Sequence, residues 1–219
     1  MKFLKKILNH TYKPLLKEYL SHDRTYFYHD LRLNIKAGVF HPGYFFSTKF
    51  LLGEVQNSGV KNKSLLELGC GSGLISLVAA KKGARVTASD IDNNAVACTI
   101  ENASKNSLNI VALQSDLFEK IPTQPFDLIA INPPYYRGEA KTDAEIAWYC
   151  GNDLEYFERL FAQMGKYVHT GSVVLMVLSE DCELKAIEEI AKKNGFDLTL
   201  RKSKSFWLEK NYIFSITPK

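Results

Sequence analysis

The sequence predicts a doubly wound α/β fold, in which a mostly parallel sheet carries helices on both faces. Three observations lead to this prediction. From residue 64 onward, short strand-like runs alternate regularly with helical stretches. The predicted strands are apolar on both faces, as a parallel sheet covered by helices requires. A glycine-rich segment, 69–73, joins the first of these strands to the first helix, the place where such folds bind ligands.

The alternation assigns the elements in order along the chain. Strands are predicted over 64–68, 85–89, 110–114, 126–131 and 172–178, and helices over 74–82, 93–106, 153–167 and 184–194. The last two strand-like runs, 197–205 and 209–217, are separated by too few residues for a crossover helix. They are therefore expected to pair as a hairpin, which makes one edge strand antiparallel.

The length of 219 residues suits one α/β domain with a full core. We predict this domain over 37–219, preceded by an N-terminal extension over 1–36. Apolar residues at helix-like spacing in the extension, among them Phe3, Ile7 and Leu8, predict one or two amphipathic helices there. The extension is therefore expected to be helical.

Composition excludes several classes of protein. A chain with 46% hydrophobic and 24% charged residues is globular rather than disordered. The net charge of +4 is basic but falls short of the charge of a dedicated nucleic-acid binder.

The first apolar run is broken too soon for a signal sequence, and no later run could span a bilayer, so we expect a cytoplasmic protein without a membrane partner. The four cysteines never form a C-x-x-C pair, which favours reduced, mostly buried thiols, and we assign no metal.

A candidate ligand-binding loop contains Glu67, Gly69, Cys70, Gly71 and Gly73. Glycines between a strand and a helix let the backbone turn sharply and approach a ligand closely. The G-x-G-x-G spacing differs from the G-x-G-x-x-G of dinucleotide-binding loops, and a carboxylate at Glu67 would repel a pyrophosphate. The loop therefore favours a ligand with an ammonium or sulfonium charge and disfavours an NAD-dependent oxidoreductase.

Acidic residues follow the second and third predicted strands. Asp90 lies about twenty residues after the glycines, where a carboxylate accepts from both hydroxyls of a ribose, and Ile91 would then face the adenine. The alternative role for Asp90 is a helix N-cap, which Asp92 could fill equally well. Asp116, followed by Leu117, is placed to accept from the adenine amine, with an ordinary loop carboxylate as the alternative.

The motif Asn132-Pro-Pro-Tyr135 ends an apolar strand at the edge where open α/β sheets bind ligands. Two prolines, Pro133 and Pro134, fix the backbone and remove two donors, so the loop is stiff. The Asn132 side-chain oxygen and the Pro133 carbonyl could together accept both hydrogens of a planar NH2 group, and Tyr135 could stack on that group. A simple rigid turn is the alternative.

With these motifs the chain resembles class I S-adenosylmethionine-dependent methyltransferases, and most closely the HemK-like group, which carries the motif Asn-Pro-Pro-Tyr. The likeness spans residues 37–217 and includes Gly38-Val-Phe-His-Pro42 and Trp148-Tyr-Cys-Gly-Asn-Asp153. The resemblance implies a seven-stranded sheet whose last strand is antiparallel, and S-adenosyl-L-methionine as cofactor. It also implies that Phe40 and Pro42 cover the methionine end of the cofactor and that Asn132 contacts it.

The resemblance leaves the substrate open. Members of the group methylate the side-chain amide of a glutamine in translation release factors, and close relatives methylate exocyclic amines of bases in RNA or DNA. The expected function is thus N-methylation of a planar NH2 group, either in a protein with an accessible glutamine or in RNA or DNA. Whether a partner subunit is required stays open, and a cofactor-binding scaffold or activating subunit without turnover is the alternative function.

Two surface features have two interpretations each. The aromatic residues over 26–28 and 44–46 could cover a substrate or pack in the core. Arg201, Lys202 and Lys204 on the penultimate strand could hold phosphates, or could discourage aggregation of an exposed edge.

Overall fold

The computed structural model describes residues 21–206 and 209–219, apart from the side chains of residues 143 and 144. Its strands are β1 (Arg24–Tyr28), β2 (Leu31–Ile35), β3 (Ser64–Leu68), β4 (Arg85–Asp90), β5 (Ile110–Gln114), β6 (Leu128–Ile131), β7 (Val173–Ser179), β8 (Phe196–Phe206) and β9 (Glu209–Pro218). Its helices are α1 (Phe46–Asn57), α2 (Leu74–Lys81), α3 (Asn93–Lys105), α4 (Asp143–Ile146), α5 (Glu155–Met164) and α6 (Leu184–Lys193).

Seven strands form one sheet in the order β5-β4-β3-β6-β7-β9-β8. Strands β3 to β7 run parallel, whereas β9 is antiparallel to both β7 and β8. The predicted doubly wound fold with an antiparallel C-terminal hairpin is confirmed. The predicted strand and helix bounds agree to within a few residues, the largest difference being a helix that ends at Met164 and continues as a 3-10 turn over Gly165–Tyr167.

The sheet separates two hydrophobic cores, because successive side chains of a strand point to opposite faces. Leu65 packs in the core under α1, α2 and α3, and its neighbour Leu66 packs in the core under α5 and α6. Both leucines are fully buried. Burial on both faces explains why the central strands are apolar without alternation.

The N-terminal extension differs from its prediction where it is described. Strands β1 and β2 form an antiparallel hairpin whose residues Leu31, Leu33 and Ile35 are buried, a period of two rather than a helical period. The hairpin is joined to α3 by a 2.7 Å hydrogen bond from the Asn34 backbone N–H to the Asn102 side chain. The residues whose spacing predicted helices, 3–19, lie outside the described residues.

Two further sequence expectations concern the described residues. All four cysteines are free and buried, as predicted. Within residues 21–206 and 209–219, no helix is long and apolar enough to cross a membrane.

Candidate active site

A cavity of about 340 Å³ opens at the carboxyl ends of β3, β4 and β6, a volume in the range of small-molecule sites. Parallel strands bring their carboxyl ends to one edge, so motifs far apart in sequence meet here. The predicted site residues that line it are Phe40, Glu67, Gly69, Cys70, Gly71, Asp90, Ile91, Asp116, Leu117, Asn132, Pro133, Pro134 and Tyr135. Pro42 and Gly73 are buried and are not part of the cavity wall.

The glycine loop follows β3 and has left-handed backbone at three positions, Gly69, Gly71 and Gly73. Gly71, with φ of 51°, donates its N–H to the Asp90 carboxylate at 2.9 Å. Gly73, with φ of 78°, packs so closely on α3 that a Cβ there would lie 2.8 Å from the Thr99 side chain. Gly71 therefore shapes the cavity, whereas Gly73 seats the loop against α3.

The Asp90 carboxylate at the end of β4 holds the backbone around it. One oxygen accepts from Gly71, and the other accepts from the backbone N–H of Asp92 at 3.0 Å. Asp92, not Asp90, caps α3, because its side chain accepts from the Asn94 N–H. Burial raises the pKa of Asp90 above its usual value, although these backbone bonds oppose the shift. A carboxylate offers about four lone-pair sites, so acceptor capacity remains beside these backbone bonds.

Glu67 lies at the end of β3 and is only 4% exposed. Its Oε2 accepts from the backbone N–H of Ser76 at 2.8 Å and from the Ser76 hydroxyl, so it caps the first turn of α2. Burial raises the pKa of Glu67 to about 8, against the lowering effect of the Ser76 bonds. A nearby cation in the cavity would favour the ionised carboxylate.

The pKa of Glu67 predicts a pH-dependent stability. In the folded protein without ligand, Glu67 is protonated up to about pH 8, whereas in the unfolded chain it ionises near its ordinary pKa of 4.5. Its contribution to stability is therefore present below pH 4.5 and is lost as pH rises through 8. Between pH 6 and 8, we expect wild type to lose about 2 kcal/mol of unfolding free energy relative to Glu67→Gln, measured by denaturant unfolding. If the unfolding free energies of the two proteins change with pH in parallel, the raised pKa of Glu67 is contradicted.

Asp116 lies on the cavity wall and is held there by an ion pair. Its carboxylate accepts from Arg159 on α5 at 2.7 Å, and the same guanidinium nitrogen lies 3.2 Å from Glu119. Burial, with Asp90 and Asp116 nearby, raises the pKa of Tyr156, which also lines the cavity. Asp116 is thus oriented by an ion pair with Arg159 that was not predicted from sequence.

Asn132 follows β6 and lies on the cavity wall. Its side-chain nitrogen donates to the hydroxyl of Thr48, on the first turn of α1, at 3.4 Å. This bond uses the side-chain nitrogen, so the side-chain oxygen of Asn132 keeps its capacity as an acceptor. The sequence did not indicate Thr48, because helix α1 and its position beside β6 were not predicted.

Aromatic rings surround the cavity beside Asn132. Trp148 lies with its ring centroid 5.4 Å from Phe40, 5.0 Å from Phe45 and 6.5 Å from Tyr136. The Trp148 carbonyl accepts from the backbone N–H groups of Tyr135 and Tyr136, which ties the segment after the Asn-Pro-Pro motif to this wall. Burial, together with acidic groups nearby, raises the pKa of Tyr136 to about 12, so its ring stays neutral.

This fold, with a glycine loop and the carboxyl groups of Glu67, Asp90 and Asp116 around one cavity, is that of a class I S-adenosylmethionine-dependent methyltransferase. The chain belongs to the Methyltransferase small domain family, whose model matches residues 30–199. Within that class it is HemK-like, and S-adenosylmethionine is its cofactor.

Curated relatives agree with this assignment. A protein of Methanocaldococcus jannaschii named "Putative protein N5-glutamine methyltransferase" is 41% identical over 147 residues, which cover 64% of this chain and 74% of that protein. The release factor glutamine methyltransferase of Lactococcus lactis is 40% identical over 89 residues, covering 40% of this chain and 32% of the relative. The ribosomal protein L11 methyltransferase of Thermotoga neapolitana is 30% identical, and the chain spans about half its length, 49%.

Solved structures share the fold at lower identity. The E. cuniculi Mtq2–Trm112 complex, responsible for methylating the termination factor eRF1, matches with a TM-score of 0.64 and 20% identity, covering 83% of this chain and 99% of that chain. The T. thermophilus 16S rRNA N2 G1207 methyltransferase, in complex with AdoMet and guanosine, matches with a TM-score of 0.63 and 21% identity, covering 89% of this chain and 50% of that chain.

Proposed function

We propose that this enzyme transfers a methyl group to a planar NH2 nitrogen held by the Asn132-Pro133 acceptors. The observation that carries the proposal is the position of Asn132 on the wall of the cavity that also contains Glu67 and Asp90. Relatives named as glutamine methyltransferases support a protein amide as the acceptor. The rings of Phe40 and Trp148 on the cavity wall favour a second candidate, the exocyclic amine of a base.

The residues of the cavity fit the cofactor. The glycine at position 71 leaves space for a ligand. A Cβ there would occupy part of the cavity, in van der Waals contact with Phe40 at 3.6 Å. We propose that Asp90 accepts from the ribose hydroxyls, that Asp116 accepts from the adenine amine and that Ile91, which is 40% exposed, covers the adenine ring. The carboxyl groups of Glu67, Asp90 and Asp116 suit a ligand that carries cationic groups.

When bound, S-adenosylmethionine supplies a methyl group on a sulfonium, so that the N–C bond forms as the C–S bond breaks and the acceptor nitrogen releases a proton to water. The task of the protein is to orient the acceptor. The Asn132 oxygen and the Pro133 carbonyl accept hydrogen bonds from the two N–H groups of the NH2. These bonds direct the nitrogen lone pair towards the methyl group. Pro133 is buried, which makes its carbonyl a fixed acceptor. No strong general base is needed, because the sulfonium is a good leaving group.

Thr48 is predicted to be a positioning residue that orients the side chain of Asn132. Thr48→Val keeps the shape of the side chain but removes the oxygen that accepts from the Asn132 amide. We expect kcat to fall about tenfold, because a misplaced acceptor group reduces the population of reactive geometry, with KM for the cofactor unchanged. Thr48→Ser retains the hydroxyl and should restore most of kcat. An equal loss of kcat in both variants would show that packing of α1, not the hydroxyl, is responsible.

The proposed function is tested by labelling. The enzyme is incubated with methyl-labelled S-adenosylmethionine and a fractionated cell extract, which also supplies any partner subunit that the reaction needs. Label in protein that is released as N5-methylglutamine after digestion supports the amide, and label in nucleic acid at an exocyclic amine supports the base. No label in any fraction, while calorimetry shows bound cofactor, would contradict the proposal.

A further inference from the structure

We propose that the N-terminal hairpin β1–β2 is part of the cofactor site, because Asn102 of α3 fastens the hairpin and the glycine loop to each other. Asn102 is then a positioning residue for the cofactor, and docking of the hairpin and binding of the cofactor strengthen each other. This coupling goes beyond the choice of methyl acceptor. It depends on the proposed function only in that the glycine loop holds S-adenosylmethionine.

Two asparagines at the end of α3 take the place of a neighbouring strand along the edge of β2 opposite β1. The Asn102 carboxamide accepts from the backbone N–H of Asn34 at 2.7 Å and donates to the Asn34 carbonyl at 3.1 Å. The Asn106 carboxamide accepts from the Arg32 N–H at 3.1 Å and donates to the Arg32 carbonyl at 2.9 Å. Four helical residues advance about 6 Å and two strand residues about 6.6 Å, so the two spacings match.

Asn102 differs from Asn106 because it also reaches the glycine loop. The Asn102 side-chain nitrogen has two hydrogens, and it donates to the Ser72 carbonyl at 3.0 Å as well as to the Asn34 carbonyl. The Asn106 nitrogen instead makes its other bond to the backbone carbonyl of Asn102, at 2.7 Å. The Asn34 N–H requires an oxygen acceptor, which fixes the orientation of the Asn102 carboxamide and directs its nitrogen to Ser72. One side chain therefore bridges the hairpin and the loop.

The bridge is buried, so breaking it is costly. Asn102 is 0% exposed and Ser72 is 4% exposed. A buried donor or acceptor that loses its partner costs the full desolvation free energy of that group. The hydroxyl of Thr99, three residues earlier and therefore on the same face of α3, donates to the preceding loop carbonyl, that of Gly71, at 3.1 Å. Helix α3 thus fixes the loop backbone at two successive carbonyls.

The hairpin also leads directly into the cavity wall. Residues 38–40 follow β2 and line the cavity, and Gly71 and Ser72 line it as well. A Cβ at Gly71 would lie 3.6 Å from the Phe40 side chain, so the loop and the segment after the hairpin face each other closely. Asn102 therefore sets the separation of these two walls. A ligand that fits between them binds the docked form more tightly, and by linkage its binding favours docking by the same factor.

The first test is calorimetry with S-adenosylmethionine. Asn102→Ala removes the bridge, and we expect it to raise the cofactor Kd about tenfold, as loss of one buried hydrogen bond can. The matched control is Asn106→Ala, which removes two bonds between α3 and the hairpin but none to the loop. Its Kd should stay close to wild type. Both variants are expected to unfold at lower denaturant concentration, so stability alone does not separate a structural role from positioning of the cofactor.

The second test, hydrogen exchange followed by mass spectrometry, needs no variant. With saturating cofactor, we expect wild-type peptides from the hairpin to exchange about tenfold more slowly, because the coupling is reciprocal. Strand β2 is not part of the cavity wall, so direct contact with the cofactor would not produce this slowing. The slowing should be absent in Asn102→Ala and retained in Asn106→Ala.

Three results would overturn the coupling: an unchanged Kd in Asn102→Ala, an equal rise of Kd in both variants, or no slowing of hairpin exchange when cofactor binds to wild type. The hydrogen-exchange result in wild type decides the matter if Asn102→Ala does not fold. In each of these cases the cofactor still binds to wild type, so the proposed function stands. If wild type binds no cofactor in calorimetry, the coupling and the proposed function both fail.

Discussion

Asn132→Ala is expected to reduce kcat at least about 10²-fold, because it removes one of the two acceptors that align the NH2 nitrogen. Cofactor affinity should change far less, since Asp90 and the glycine loop are untouched. The Asn132 side chain makes one weak hydrogen bond, 3.4 Å to Thr48, so its loss should cost little folding stability. Turnover is measured on the substrate that the labelling identifies, and cofactor binding is measured by calorimetry.

The matched control is Asn152→Ala, which removes another loop asparagine, one whose amide donates to the exposed Glu139 at 3.1 Å. It should leave kcat close to wild type. A kcat for Asn132→Ala that also stays near wild type would eliminate Asn132 as an acceptor. Loss of cofactor binding together with turnover would instead assign Asn132 to the cofactor alone.

Asp90→Ala is expected to raise the cofactor Kd about 100-fold. Hydrogen bonds to a charged group contribute about 1.5–3 kcal/mol each, and 1.4 kcal/mol corresponds to a factor of ten in Kd. The variant loses the proposed ribose acceptors and also releases the Gly71 N–H that holds the glycine loop. Two causes thus act in the same direction, and calorimetry measures their sum.

Asp92→Ala serves as the control, because Asp92 carries the same group two residues further on. Its carboxylate caps α3 by accepting from Asn94 at 2.8 Å. The control should lose about 1 kcal/mol of unfolding free energy, the usual cost of an N-cap, with little change in Kd. Similar Kd values for the two variants would show that Asp90 supports the loop without contacting the ribose.

Much of the active site could be predicted from sequence because its motifs are local. The G-x-G-x-G loop, Asp90 and the Asn132 motif each follow an apolar strand, and a parallel sheet places all such ends at one edge. No knowledge of packing was needed for this step. The relatives then confirmed the class and the cofactor.

Residues that depend on long-range packing could not be predicted. Arg159 orients Asp116 across 43 positions of sequence, and Thr48 contacts Asn132 across 84. The extension was predicted to be helical from spacing over residues 3–19, and the hairpin β1–β2 within it was not predicted. Pro42 was expected at the cofactor but is buried away from the cavity, because a motif does not say which of its side chains face inward.

The sequence by itself determined the sheet, the edge that carries the site and the chemical class of the ligand, because hydrophobic periodicity and glycine spacing are local properties of the chain. Only the tertiary structure decided which side chains meet across that edge: Thr48 with Asn132, Arg159 with Asp116, and Phe46 with Phe206. Contacts between elements depend on how helices pack on the sheet, and that packing is set by the whole core rather than by any one segment.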